Sequence, residues 1–344
     1  LLDDVLYGND AVGFDVSYDA GRTWESRTTG IPLISAKVVS QNPGNPLQLV
    51  ASAGTGVALS SDGGLSWTWS TTPPAEPVLS FARDPGNSSR LFAGTHYALY
   101  WSDDAGDTWQ HVTQPYNYFN AIALDRNDSQ KLVAVRDFAV AWSSDGGATW
   151  TPATIVGGAQ DFRRIAQGQL GTARVYVLHW LHNDVYQLFR ADAFGASVAP
   201  TEGNLELSDV AVDPSNDDVL FAIAHDDAYQ DWTGYLSTDA GAHWQARGTI
   251  LDVRNGSEAS VRFDPCEPRT IYLLLGSKGM YVSHDRGLTW LLETPGVPFG
   301  YAWAFDVACS SGQLVASVAT NGAGVEVRVP ELIDRIFADG FDAE

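Results

Sequence analysis

The chain has 344 residues, 44% hydrophobic and 11% aromatic, which is the composition of a globular protein rather than a disordered one. Its 42 acidic and 20 basic side chains give a net charge of -22, which would repel a phosphate backbone and argues against a nucleic acid partner. No stretch approaches the roughly 18 to 20 apolar residues of a membrane helix, and two cysteines exclude a disulfide-rich scaffold or a four-cysteine zinc site.

An eight-residue motif, here called the octet, recurs six times in chain order. It begins with Ser, has Asp at its third position and Gly at its fifth, and ends with Trp. The six Asp positions are 43, 42, 41, 94 and 46 residues apart, and a degenerate copy without the Trp lies in the long gap, at residues 191–198. We expect the six carboxylates to be structural: Asp19, Asp62, Asp104, Asp145, Asp239 and Asp285.

The residue types of the octet suit a tight turn between two strands. A carboxylate can accept N–H groups of its own turn, Gly permits a backbone conformation that other residues resist, and Trp offers a large apolar face for burial. Alternating apolar runs flank each octet, as at residues 98–102 and 108–112. The pattern therefore predicts a hairpin, strand–octet–strand.

Two further strand-like runs lie between successive octets. Residues 79–82 and 90–93 are one such pair, joined by an Asp-Pro-Gly-Asn turn at 84–87. Four short strands per ~45 residues, with no helical periodicity, match the number of strands and the length of one propeller blade.

The octet resembles the Asp-box, or BNR, repeat of sialidases, sortilin-type receptors, xyloglucan-cleaving glycoside hydrolases and a photosystem assembly factor. The resemblance implies an all-β fold, a β-propeller of four-stranded antiparallel blades. Those families share a scaffold and not an activity, so the motif alone does not predict a function.

The repeat count predicts eight blades, because residues 1–27 and 303–329 look like two incomplete terminal units. Seven blades, with the chain ends sharing one, is the alternative. We expect one propeller domain over residues 1–330 and an acidic tail over 331–344. The tail resembles a short C-terminal segment of assorted exported gammaproteobacterial proteins, and a disordered end is the alternative.

The octets and the turns between first and second strands should share one face, here called the octet face. The opposite face, here called the working face, carries the connections from second to third strand and from blade to blade. Aromatic rings beside charged side chains on that face suit a sugar, which stacks on aromatics and hydrogen-bonds at its edges. The predicted ligand-binding residues are Tyr116, Tyr118, Arg136, Asp137, Arg163, Arg164, Trp180, His182, Asp184, His225, Asp227 and Trp232. We expect Trp180 or Trp232 to be the stacking platform.

We expect a non-catalytic recognition propeller that binds a glycan or a protein. The alternatives are a polysaccharide-acting glycoside hydrolase and an assembly factor. A hydrolase needs two carboxylates about 5 to 10 Å apart, and acidic loops could supply them at Asp10, Asp137, Asp184 or Asp227. The catalytic residues are not identified, and a sialidase is disfavoured because no Arg-Ile-Pro segment lies near the N-terminus.

The remaining expectations concern metals, cysteines and location. We expect no cofactor and no metal site, although carboxylates at 226, 227 and 231 could hold a calcium ion through oxygen ligands. Cys266 and Cys309 are one repeat apart in equivalent turns, so we predict a disulfide. We expect a secreted or periplasmic monomer without a membrane span; a signal peptide, absent here, would be lost from a mature exported protein.

Overall fold

The structure is a computed structural model. It describes residues 15–16, 25–26, 37–64, 66–84, 86–112, 118–125, 127–167, 174–182, 185–203, 205–225, 231–250, 259–275, 279–295, 301–310, 313–321 and 324–328. Short antiparallel strands dominate these residues, and the one helical element is a 3-10 turn at Val156–Gly158. None of the helical residues described forms a stretch long and apolar enough to cross a membrane.

The first strands form a separate pair and three four-stranded blades. The pair is β1 (Asp15–Val16) with β2 (Glu25–Ser26). Blade 1 contains β3 (Val39–Asn42), β4 (Asn45–Ala53), β5 (Gly56–Ser60) and β6 (Thr68–Trp69). Blade 2 contains β7 (Val78–Arg83), β8 (Leu91–Thr95), β9 (Leu99–Ser102) and β10 (Gln110–His111). Blade 3 contains β11 (Phe119–Leu124), β12 (Leu132–Arg136), β13 (Ala139–Ser143) and β14 (Thr151–Pro152).

Three further blades and a smaller sheet complete the described strands. Blade 4 contains β15 (Phe162–Gln167), β16 (Val175–His182), β17 (Val185–Ala191) and β18 (Ala199–Pro200), with β19 (Glu206–Leu207) also pairing with β17. Blade 5 contains β20 (Asp209–Asp213), β21 (Asn216–His225), β22 (Trp232–Ser237) and β23 (Gln245–Ile250). Blade 6 contains β24 (Ala259–Phe263), β25 (Ile271–Leu275), β26 (Gly279–Ser283) and β27 (Leu291–Pro295). The three-stranded sheet contains β28 (Tyr301–Ser310), β29 (Gln313–Asn321) and β30 (Gly324–Arg328).

The all-β propeller of four-stranded antiparallel blades is confirmed, but the predicted number of blades is wrong. The described residues form six blades of four strands, not eight and not seven. In the residues that the structure describes, the two terminal units that we counted give the pair β1–β2 and the three-stranded sheet β28–β30, here called the closing sheet. It packs between blade 6 and blade 1, against β24 and β25 on one side and β3 and β4 on the other. The octet spacing could count the repeats but could not show how many four-stranded blades the described residues form.

The octets form the predicted hairpins between the third and fourth strands. In blade 2, Asp104 Oδ1 accepts the hydroxyl of Ser102 at 2.7 Å and the N–H of Thr108 at 2.8 Å. Ser102 Oγ accepts the N–H of Gly106 at 2.9 Å, and the indole N–H of Trp109 donates to the Gly106 carbonyl at 2.8 Å. The same carboxylate bonds recur at Asp62, Asp145, Asp239 and Asp285. Asp19 lies outside the described residues.

The degenerate octet of blade 4 is stabilised differently. It keeps the left-handed glycine, Gly195, but its acidic residue is one position early. Asp192 instead pairs with the guanidinium groups of Arg174 at 3.3 Å and Arg190 at 2.8 Å. Val198 takes the place of the tryptophan and is 1% exposed. An ion-pair cluster thus replaces the turn-capping carboxylate of the other octets.

Backbone bonds also join the exit of one blade to the octet of the next. Thr71 N–H donates to the carbonyl of Asp107 at 2.8 Å, from blade 1 to blade 2. Equivalent bonds run from blade 3 to 4, from 4 to 5 and from 5 to 6: Val156 N–H to Val198 O, Gly203 N–H to Gly241 O, and Gly248 N–H to Gly287 O. Neighbouring first strands also pack together, so the blades are joined at both inner and outer edges.

Cys266 and Cys309 form a disulfide with their Cα atoms 5.4 Å apart. Cys266 lies in the turn between β24 and β25, and Cys309 lies near the end of β28. The bond therefore joins blade 6 to the closing sheet. The apolar cluster at that boundary is small, with Leu274, Met280 and Phe305 as its buried members.

Candidate functional site on the working face

The structure brings several of the predicted residues together on the working face of blades 2 to 4. Tyr118, Arg136, Asp137, Arg163 and Trp180 all lie in or beside connections opposite the octets. Tyr116, Asp184 and Asp227 lie outside the described residues, as does Asp10. His182 and His225 end strands β16 and β21, and only their backbone is described.

An aromatic band runs along these connections. Its members are His96, Tyr97, Tyr118, Phe138, Arg163 and Trp180. The His96 and Tyr118 rings meet edge to face with centroids 4.8 Å apart, and Tyr118 and Phe138 are 5.4 Å apart. The Arg163 guanidinium carbon lies 5.9 Å from the Phe138 centroid and 4.0 Å from that of Trp180. The band therefore connects the strand 2–3 turn of blade 2 to the inner strands of blade 4.

Parts of this band are open to solvent. Tyr97 is 58% exposed and Phe138 is 43% exposed, whereas Trp180 is half-buried. Tyr97 and Phe138 are two of the eight large hydrophobic side chains that are exposed among the described residues. Neighbouring exposed rings are typical of a recognition surface.

Arg163 is fixed from two sides. Asp161 binds it through two hydrogen bonds, Nε to Oδ1 at 2.9 Å and Nη2 to Oδ2 at 3.1 Å. The guanidinium carbon lies over the Trp180 ring, 4.0 Å from its centroid. Such a bidentate pair on an aromatic ring limits the guanidinium to one orientation.

A second acidic residue fixes the turn that carries Phe138. Asp137 Oδ1 accepts the N–H of Tyr118 at 3.0 Å, and the N–H of Asp137 donates to the Tyr118 carbonyl at 2.9 Å. The Phe138 carbonyl accepts the N–H of Phe162 at 2.8 Å. Arg136 Nε lies 4.0 Å from Asp137 Oδ2. The turn is thus bonded to the connections on both sides of it.

Left-handed backbone is concentrated at this site. Among the described residues other than glycine, positive φ occurs at the fourth position of three octets and at Asp137, Phe138 and Asp161, with φ of 50°, 62° and 74°. A left-handed Phe is particularly unfavourable, because its side chain crowds the backbone. Strain of this kind persists where surrounding contacts impose it, and it is common at binding sites.

Two predicted residues do not belong to this band. Trp232 is 2% exposed and packs in the core between blades 5 and 6, so it cannot be a stacking platform. It pairs in register with His225 and Ile250, and this pairing directs its ring toward the neighbouring blade. Arg164 contacts a different ring, with its guanidinium carbon 5.0 Å from the Tyr186 centroid.

Arg164 belongs to a charged network of the inner strands. Its Nη1 lies 3.7 Å from Asp209 Oδ1, and Arg262 Nη1 lies 3.3 Å from Asp209 Oδ2. Asp306 Oδ2 accepts the N–H of Gln41 at 3.0 Å. Burial raises the pKa of Asp306 above its ordinary value. The Gln41 N–H and the nearby cations Arg262 and Arg83 act in the opposite direction, but burial is the larger effect. Burial likewise lowers the pKa of Arg83 to about 10.

Sequence reasoning missed one member of the site and underrated three. Asp161 gave no signal, because it precedes a strand without any motif. His96, Tyr97 and Phe138 occupy working-face turns that counting strands identifies, but nothing in the sequence ranked them above other loop aromatics. Over the ranges described, no group of three or more His, Cys, Asp or Glu side chains could hold a metal ion.

Comparison with known proteins shows the fold alone. No family model matches the chain, and no curated protein matches it. Among solved structures it is similar to an ancestral GH74 enzyme (TM-score 0.68, 18% identity, 86% of this chain and 44% of that one). It is also similar to YCF48 bound to D1 peptide (0.65, 13%, 87% and 95%) and to the GH74 xyloglucanase from Xanthomonas campestris (0.64, 15%, 86% and 53%). The chain thus spans about half the length of those GH74 enzymes, and all three comparisons agree with a β-propeller.

Proposed function

We propose that this chain is an exported, non-catalytic recognition propeller that binds a glycan on the working face over blades 2 to 4. The observation that carries the proposal is the aromatic band, in which Tyr97 and Phe138 are exposed and Arg163 is fixed on Trp180. Sugar rings stack their C–H faces on aromatic rings and hydrogen-bond to charged groups at their edges.

Preorganisation supports recognition by this surface. The bonds of Asp137 to Tyr118 and of Asp161 to Arg163 hold the band in place without a ligand. A surface that is already ordered loses less conformational entropy on binding, so more of the contact energy appears as affinity.

The engagement of the two carboxylates supports binding rather than hydrolysis. Asp161 accepts hydrogen bonds from Arg163 through both carboxylate oxygens, and Asp137 accepts one from the Tyr118 N–H through Oδ1. A glycosidase requires a pair of carboxyl groups facing one bond of the substrate. The hydrolase remains the alternative, and the experiment below separates the two.

The disulfide between Cys266 and Cys309 supports export, because such bonds persist in oxidising compartments. The net charge of -22 is consistent with a partner other than a polyanion.

The test is affinity electrophoresis through a panel of uncharged polysaccharides, with a reducing-end assay on the same panel. Wild type should be retarded by at least one polymer and should release no reducing ends. Trp180→Ala and Tyr97→Ala should each weaken binding by ~1 to 3 kcal/mol, as expected for interface anchors. Trp69→Ala is the matched control, because Trp69 is 38% exposed but lies in blade 1, outside the band.

Three outcomes would contradict the proposal. Retardation by no polymer would exclude glycan binding, and loss of binding in Trp69→Ala alone would place the site elsewhere. Release of reducing ends by wild type would replace the proposal with the hydrolase.

A further inference from the structure

The aromatic band contains Arg163, and Arg136 lies beside the band, directly before the turn that carries Phe138. An acidic residue lies close to each of these two arginines. Asp161 binds Arg163 through both carboxylate oxygens, and Asp137 Oδ2 lies 4.0 Å from Arg136 Nε. Asp137 directly follows Arg136 in the sequence, and Asp161 lies two residues before Arg163. The band therefore presents rings and paired charges rather than net positive charge.

The backbone conformation of the two acidic residues favours these pairings. Asp137 and Asp161 both adopt left-handed φ, at 50° and 74°. An exposed ion pair between flexible side chains contributes little to stability. Here, however, the backbone of each acidic residue is held in a left-handed conformation, which limits where its carboxylate can lie. The Arg163 guanidinium carbon also lies over Trp180, 4.0 Å from the ring centroid, so one side of the cation contacts a ring rather than solvent.

We propose that Asp161 and Asp137 determine the charge specificity of the band by neutralising Arg163 and Arg136. A glycan carboxylate or sulfate would have to compete with Asp161, which is hydrogen-bonded to the Arg163 guanidinium, and with Asp137, whose carboxylate lies 4.0 Å from Arg136 Nε. The protein's charge of -22 also repels a polyanion at longer range. The ligand is accordingly an uncharged polysaccharide, and the two acids exclude acidic ones. This inference rests on the proposed function.

The test compares Asp161→Asn and Asp137→Asn with wild type, on neutral galactomannan and hydroxyethylcellulose and on acidic polygalacturonate and alginate. Asparagine keeps the Oδ1 acceptor and tolerates left-handed φ, so the turns should be preserved. Asp103→Asn is the matched control. It removes the same charge from another Arg–Asp pair, with Arg90 at 3.8 Å, but on the octet face.

Wild type and Asp103→Asn should bind neutral polymers only. Asp161→Asn should gain at least about tenfold in affinity for polygalacturonate or alginate at low salt, because a charge-assisted bond to Arg163 becomes available. That gain should disappear at high salt. It should also be absent in Asp161→Asn/Arg163→Met, which keeps the neutral carboxamide but lacks the cation. Asp137→Asn gives an independent test through Arg136, should Asp161→Asn fail to fold.

The outcomes separate this inference from the proposed function. Wild-type binding to polygalacturonate or alginate would overturn the inference, and so would the absence of any gain in both folded single variants. An equal gain in Asp103→Asn would also overturn it, by showing that net charge alone is responsible. Failure of wild type to bind every neutral polymer would instead reject the proposed function.

Discussion

The carboxylate of Asp209 accepts the backbone N–H of Val261, 3.0 Å away, across the boundary between blades 5 and 6. Both residues lie on first strands, and both are buried, at 7% and 0% exposure. The first strand of a blade pairs with the second strand on one edge only. The N–H groups on its other, unpaired edge therefore need another acceptor. A side chain of the preceding blade supplies it here.

Replacement of this carboxylate should destabilise the ring. Asp209→Ala leaves the Val261 N–H without its acceptor and removes the anion beside Arg164 and Arg262. We expect the free energy of unfolding to fall by about 1 to 3 kcal/mol, the magnitude for leaving a buried N–H without an acceptor. The two arginines are each about a third exposed, so water can solvate them in the variant. Urea denaturation measures the change, with the exposed Glu206→Ala as control. Equal stability of the two variants would show that the bridge contributes nothing.

Removal of an octet carboxylate should affect stability without affecting the working face. Asp104→Ala removes the acceptor of Ser102 Oγ and Thr108 N–H. The Thr108 bond is exposed, so we expect a loss of about 1 kcal/mol, the low end for an unmade hydrogen bond. Asp103→Ala, next to it and exposed, should be close to neutral. Melting temperature and polysaccharide retardation should be measured together, and weakened binding at unchanged stability would contradict a structural role.

The octets should also make stability depend on acid pH. The N–H of His243 is the main cause that lowers the pKa of Asp239 to about 2, from an ordinary value of 3.8. Partial burial would raise the pKa of Asp285, but the bonds from Thr289 outweigh it and lower that pKa to about 2 as well.

Folded pKa values below the unfolded value mean that these carboxylates stabilise the protein above pH ~4 and lose that effect as the pH falls toward 2. We expect the melting temperature to decline across this window. The decline should be smaller in Asp239→Asn/Asp285→Asn than in wild type, and an identical decline would assign the acid sensitivity to other groups.

Reduction of the disulfide should weaken the closing sheet. A loop closed over 43 residues contributes ~4 kcal/mol in the chain-entropy model. Cys266→Ser/Cys309→Ser should therefore unfold at lower urea concentration, and a reducing agent should destabilise wild type but not the double variant. Two free thiols titrating in unfolded, unreduced wild type would show that the bond does not form.

The octet hairpins could be predicted because their chemistry is local. The spacing of Ser102, Asp104 and Gly106 already contains the donors and acceptors of the turn. Whether an aromatic side chain beside a connection points into the core or toward solvent depends instead on segments distant in sequence. Trp180 precedes the connection between the second and third strands of its blade, and Trp232 follows the equivalent connection of the next blade. Trp232 is buried in the core, whereas Trp180 is half-buried beneath Arg163.

The number of blades and the role of Asp161 could not be predicted for the same reason. Both depend on what packs beside a segment rather than on the segment itself. Asp161 is one of 42 acidic residues in the sequence. Only the structure shows that its carbonyl accepts the N–H of Trp180 and that its carboxylate binds Arg163. The closing sheet likewise resembles a repeat in sequence, but in the described residues it forms three strands.

The bonds between the exit of one blade and the octet of the next have a consequence for how the molecule can be divided. Thr71 follows the last strand of blade 1 but bonds to Asp107 in blade 2, and Gly248 of blade 5 bonds to Gly287 of blade 6. A fragment cut at a sequence-repeat boundary would therefore carry an octet without its outer partner. The cooperative unit is larger than the repeat, so blades should not be interchangeable modules and partial proteolysis should leave no stable single blade.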